Sequence, residues 1–185
     1  MDGHKLIVIG TSAGGVKALA TLVSALPKLL AASICIAQHF PPARESILSS
    51  ILTRVGRLPT CYALDGTQLL DGAILLAPPG HNMSISDEHV VVVLAPQRLS
   101  PSIDLLFETA ASSYGPRAIG IILTGMLTDG TVGMQAIKRM GGTTIIQNPF
   151  EAAYPSMPRS VQNRCTIDYC LPLQQIAPLL HTLTG

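Results

Sequence analysis

Short, almost wholly apolar runs recur along this chain, each followed by a polar turn and then by a segment of helical periodicity. KLIVIG (5–10), SICIAQ (33–38), AIGIILTG (118–125) and TTIIQ (143–147) are the clearest. A strand with one wet face alternates apolar and polar residues, whereas a strand covered on both faces reads as a continuous apolar run. Such runs, separated by helices, specify a mostly parallel sheet with helices packed on both of its faces. Only 12% of residues are charged and 48% are hydrophobic, which fits a doubly covered sheet and excludes global disorder. The 185 residues contain no repeat, low-complexity segment or linker, so residues 1–185 are expected to form one domain.

Between these strands the pattern is equally regular. Val16, Leu19, Leu22, Val23 and Leu26 share one face of a helix over 14–26 that Pro27 stops. A second helix is expected over 43–55. Short strands TCYAL and AILLA flank the Asp65-Gly66 turn, and MSIS with HVVVVLA around Asp87-Glu88 predicts an antiparallel hairpin. Ser100-Pro101 should open a helix that runs to about Ser113, with Ser100 as cap. A further helix ends at Gly141-Gly142, and LPLQQIAPLLHTL closes the chain as a helix disturbed by Pro178.

Several function classes are excluded. The net charge is +1 and the basic residues are scattered, so no stripe exists to attract a nucleic acid. No apolar run approaches the ~20 residues of a membrane helix, and LIVI is too short for a signal peptide. A soluble cytoplasmic protein without membrane insertion is expected. The four cysteines include no C-x-x-C pair. Cys35 and His39 would lie ~13 Å apart along a strand, too far to share a metal. Buried free thiols are the reading, with a Cys165–Cys170 pair as the alternative; no cofactor or metal is expected.

Ligands of open parallel sheets bind at the carboxyl ends of the strands. This directs attention to Thr11-Ser12, Gln38-His39, Gly80-His81, the 125–130 loop and Gln147-Asn148. The turn Gly10-Thr11-Ser12-Ala13-Gly14-Gly15 lacks the lysine of a P-loop, since Val16 stands there. It also lacks the second glycine and the acidic partner of a dinucleotide fingerprint. A weak anion site at the helix N-terminus stays open, as does a packed turn in which Ser12 only caps the helix. The third reading is G-x-S-x-G between strand and helix, which exposes a nucleophilic serine. Such a serine needs a base and an orienting carboxylate. His39 follows the neighbouring strand, with His81 as rival; His4, His89 and His181 are expected elsewhere. Asp129 shares the strand-end edge, Asp65 and Asp71 lie in turns, and Asp104 suits the first turn of a helix. Ser12, His39 and Asp129 are the candidate triad.

The ordered motifs IGTSAGG, QHFPP, LAPPGHNM, SPSIDLLF, LTGMLTDGTVGM and MPRSV cover nearly the whole chain. In them the sequence resembles the catalytic domain of the chemotaxis protein-glutamate methylesterases, the CheB family. The resemblance implies a three-layer α/β/α, doubly wound domain that hydrolyses glutamate γ-methyl esters on chemoreceptor cytoplasmic helices, releasing methanol, and in many members also deamidates glutamines. It implies Ser12 as nucleophile, His39 as base, Asp129 as carboxylate, and the backbone N–H groups of Met126 and Ala13 as oxyanion donors. A receptor methyltransferase or a receiver-containing protein would be a further partner. Three residues depart from the family's usual pattern: Ala13 replaces threonine, and Leu127 and Ser156 replace glycines. The sequence contains no counterpart of the family's receiver domain. Alternative readings are a signalling adaptor without catalysis and a serine hydrolase for another ester or amide.

Overall fold

A computed structural model of the chain describes residues 3–39, 47–95 and 101–185. Seven strands form one sheet in which every pairing is parallel. They are β1 (Lys5–Thr11), β2 (Ala32–Gln38), β3 (Thr60–Tyr62), β4 (Ile74–Leu76), β7 (Ala118–Ile122), β8 (Thr143–Gln147) and β9 (Tyr169–Leu171). Their spatial order is β3-β4-β2-β1-β7-β8-β9. The hairpin β5 (His81–Ser86) and β6 (His89–Leu94) makes a separate antiparallel sheet around the Asp87-Glu88 turn, as its sequence predicts.

Strand periodicity sorts the core into two layers. Leu6 and Val8 point to one face, where they join Leu106 and Phe107 of α3 (Ile103–Tyr114), Met134 and Ile137 of α4 (Thr131–Arg139), and Val161 of α5 (Ser156–Arg164). Ile7 and Ile9 point to the other, with Leu19 and Leu22 of α1 (Gly15–Ala25), Leu52 of α2 (Leu48–Val55) and Leu180 of α6 (Leu173–Thr184). The domain is therefore three-layered and doubly wound, with the hairpin packed against α3 through Met83, Ile85 and Val90. Full burial of each such side chain is worth about 1.5–3 kcal/mol against leaving it in water.

The departures from expectation are local. Val16 is exposed, and Gly15 and Ala18 complete the buried face of α1, since 15, 18, 19, 22 and 23 form one stripe at helical period. The Ser100 cap lies outside the described residues; Ser102 caps α3, its hydroxyl accepting from Leu105 N at 3.2 Å. Residues 43–46 of the second helix and Phe40 to Pro42 of QHFPP also lie outside them. Helix α5 and strand β9 carry no sequence signal: α5 is mostly polar around Pro158, and β9 is a three-residue edge strand. Pro178 sits inside α6 without ending it. All four cysteines are free, with no Cys165–Cys170 bond, and only Cys35 is buried; Cys61 and Cys170 are exposed.

Candidate active site

Strand β1 is flanked by β2 and β7, where the winding reverses: α1 carries the chain from β1 to β2 over one face, and α4 carries it from β7 to β8 over the other. The carboxyl end of β1 is thus the switch point at which such sheets open a crevice. Ser12 stands there, one residue beyond the last β1–β2 rung, Thr11↔Gln38. His39 is the next residue on the β2 side, and its N–H donates to Thr11 O at 3.1 Å.

Ser12 is held through its own backbone atoms. Ser12 N–H donates to Thr124 O (3.1 Å), and Ser12 O accepts from Gly15 N (2.9 Å) and from Gln38 Nε2 (2.9 Å). The same Gln38 amide donates to His39 O at 2.8 Å, so one side chain ties the two candidate residues together. A side chain at position 15 would overlap Gln38 Oε1 and Thr11 Oγ1, which explains the second glycine of the pair. The first, Gly14, caps α1 with φ 77°, the left-handed region that glycine enters without penalty. The sharp turn is therefore taken at Gly14, and Ser12 is not among the residues of positive φ. The Ser12 hydroxyl is half-buried and makes no hydrogen bond among the described residues.

His39 is buried, its side chain only 6% exposed, and Nε2 lies 2.8 Å from Asp129 Oδ2. Asp129 also accepts from Ile103 N (2.9 Å), Asp104 N (3.0 Å) and Gly130 N (2.9 Å). Burial pushes the Asp129 carboxyl up. The bonds from His39, Ile103 and Asp104, with the charge of His39, outweigh it and hold the group below the usual carboxylate range. An ionised Asp129 only accepts, so His39 Nε2 carries a proton, and in the neutral imidazole Nδ1 is then the atom with the lone pair. This is the reverse of the serine proteases, where Nδ1 faces the aspartate. Asp104 in turn reaches across to cap α4, accepting from Gly133 N at 2.7 Å. Burial raises its carboxyl to about 6, against the bond from Gly133 and with help from the Asp129 charge.

The rival groups are elsewhere. His81 Nδ1 lies 2.9 Å from Pro79 O, and His89 and His181 lie on β6 and α6. A second Ser-His-Asp cluster forms at the opposite end of the sheet. There Ser33 Oγ is 3.0 Å from His4 Nε2, and His4 Nδ1 is 2.7 Å from Asp71 Oδ1. Ser33 is fully buried and gives its proton to Leu70 O at 2.7 Å, so no substrate could reach a nucleophile there. Asp65 accepts from Val92 N.

Beyond the triad, sequence reasoning missed Thr124. Its carbonyl also accepts from Thr11 Oγ1 (2.8 Å), and its hydroxyl donates to Ala13 O (3.1 Å) and accepts from Tyr154 N (2.8 Å). A threonine closing an apolar strand was the available signal. The Ala13 and Met126 N–H groups donate to no group of the described residues. Leu127, the residue in place of a usual glycine, has φ 68°, so the conformation glycine would favour is kept by leucine at a cost. Ser156 is not among the residues of positive φ, and it simply begins α5. No group of three or more His, Cys, Asp or Glu residues suited to a metal occurs among the described residues, and no helix among them could span a membrane.

A serine on a β-strand–helix turn, beside a buried histidine locked to a part-buried carboxylate at the switch point of an α/β/α domain, is the layout of a serine hydrolase. The chain belongs to the CheB methylesterase family, whose model matches residues 7–180. A Moorella thermoacetica protein-glutamate methylesterase/protein-glutamine glutaminase is 40% identical over 98% of this chain and 44% of its own length. A putative enzyme of the same name from Leptospira interrogans is 35% identical, over 97% of this chain and 95% of its own. The crystal structure of the Thermotoga maritima CheB methylesterase catalytic domain superposes with a TM-score of 0.90 at 32% identity, covering 98% of this chain and 99% of that one. The chain thus spans less than half of the Moorella relative and nearly all of the Leptospira one.

Proposed function

We propose that this protein hydrolyses glutamate γ-methyl esters on chemoreceptors, and their glutamine side chains, with Ser12 as nucleophile. The observation that carries the reading is the His39–Asp129 bond beside the Ser12 turn, in a chain of the CheB methylesterase family. Ser12 Oγ attacks the ester carbonyl while His39 Nδ1 accepts the hydroxyl proton. The negative charge forming on the carbonyl oxygen is met by the Ala13 and Met126 N–H groups. Collapse breaks the bond to the methoxy oxygen. His39 returns the proton to it, so methanol leaves rather than methoxide, a poor leaving group near neutral pH. Water, deprotonated by His39, then attacks the glutamyl-serine ester and frees Ser12 and a glutamate. Asp129 stays ionised throughout, holding the tautomer and stabilising the imidazolium. On this reading the protein acts in the cytoplasm on receptor signalling helices. A receptor methyltransferase shares its substrate, and a receiver-containing protein is a candidate regulator.

The test is methanol release from a methylated receptor, compared with Ser12→Ala. Ser12→Ala is expected to lose nearly all turnover while unfolding at the same temperature, because its side chain makes no hydrogen bond. Full activity in Ser12→Ala sinks the assignment. No release by the unaltered protein, with Ser12 labelled by a serine-reactive phosphonate, points to a hydrolase for another ester or amide. Receptor binding with neither release nor labelling points to an adaptor.

A further inference from the structure

The loop that carries Met126 and Asp129 has a second side. Between its residues 126–128 and helix α5 runs a groove of about 540 Å³, walled by Leu127 and Thr128 on one flank and by Arg159, Asn163 and Arg164 on the other. Both arginines are exposed. None of the three ion pairs among the described residues includes either of them. Arg164 Nη1 donates to the neutral Ser160 Oγ at 2.9 Å, and the Arg159 side chain has no partner among the described residues. Asp129 of this loop and Asp104 of α3 direct their hydrogen bonds to other groups, Asp129 to His39 and three amides and Asp104 to Gly133 N. Two guanidinium groups therefore line an open groove with no ion-pair partner among the described residues, one loop away from the serine.

We infer that this groove binds acidic residues of the substrate polypeptide next to the esterified glutamate, and so helps select the segment that enters the site. The inference rests on the esterase reading above. A glutamyl ester reaches Ser12 only if the polypeptide on either side of it passes over the rim, and the 126–128 loop forms that rim. Each turnover leaves a glutamate carboxylate, so a segment with several esters becomes acidic beside those still to be cleaved. Arginine pairs with carboxylates through two parallel N–H···O bonds, a geometry that neutral residues cannot match.

Two synthetic peptides test this on the full chain, each with one glutamate γ-methyl ester, flanked in one by glutamates and in the other by glutamines. The acidic peptide should show a kcat/KM about tenfold higher, mostly through KM, with a preference that shrinks as salt is raised. Arg159→Gln with Arg164→Gln should bring the ratio to about one, and Arg159→Glu with Arg164→Glu should invert it. Thermal unfolding of both double variants checks that they fold. Equal cleavage of both peptides by the unaltered protein overturns the inference, as does an unchanged preference in the variants. If neither peptide is cleaved, the esterase reading fails, and fluorescence anisotropy of the same peptides decides the groove. Binding of the acidic peptide that charge reversal abolishes supports it; equal binding of both peptides overturns it.

Discussion

Asp129 accepts from His39 and from the first amides of α3 at once, so the carboxylate bonded to the histidine is also a helix cap. Asp129→Asn turns part of that acceptor into a donor. It should lower kcat by about 10⁴, as the wrong histidine tautomer does in related triads, and cost about 1–2 kcal/mol of stability as a lost cap does. Urea denaturation beside Ser12→Ala separates the two effects, since only Asp129→Asn should shift the midpoint. Asp104 behaves oppositely with pH. Its folded-state value of about 6 lies above that of an unfolded aspartate, about 3.9. The folded state then holds the proton more tightly, so this group's contribution is most favourable below about pH 4. It declines as pH rises to about 6 and is constant beyond. Asp104→Asn, which can still accept from Gly133 N, should gain stability relative to the unaltered protein between pH 4 and 6; parallel denaturation curves would refute this. At Leu127, with φ 68°, Leu127→Gly removes the left-handed penalty and should stabilise the fold by up to about 1 kcal/mol, read from the chemical denaturation midpoint.

At the scale of elements, the turn after β1 is fixed by polar side chains at the ends of apolar strands. Thr124 joins it to the segment before α5: its hydroxyl bonds Ala13 O and Tyr154 N, and its carbonyl holds Ser12 N and Thr11 Oγ1. Thr124→Val keeps the shape and removes the hydroxyl. A loss of about 1–2 kcal/mol is expected, with kcat reduced severalfold and KM little changed, because the Ser12 turn loosens while the rim persists. An unchanged kcat would mean that the turn is held without it. The long elements were legible because β1, β2, β7 and β8 are continuous apolar runs and α1 and α3 carry a clear apolar face. Helix α5 was not. It buries only Met157, Pro158 and Val161, and its position comes from contacts such as Met157 N to Gly125 O that are far apart in sequence.

For the whole molecule, burial decides reactivity as well as stability. Cys35 lies in β2 with no exposed surface, and burial pushes its thiol up to about 12. Iodoacetamide on the native protein should modify Cys61 and Cys170 first and the half-buried Cys165 more slowly; Cys35 should react only on global unfolding. Peptide mass mapping with and without urea reads this out, and early labelling of Cys35 would contradict its placement. The sequence alone determined the α/β class, the hairpin and the candidates Ser12, His39 and Asp129, because strand periodicity and the strand-end rule depend on neighbouring residues. Tertiary structure alone decided the rest. It brought Asp129 to Nε2 of His39 rather than to another histidine. It buried Ser33 of the Ser33–His4–Asp71 cluster at the opposite end of the sheet, and it opened an arginine-lined groove beside the loop. Those outcomes depend on which strand ends meet across the sheet, and sheet order is set by long-range packing that no local pattern encodes.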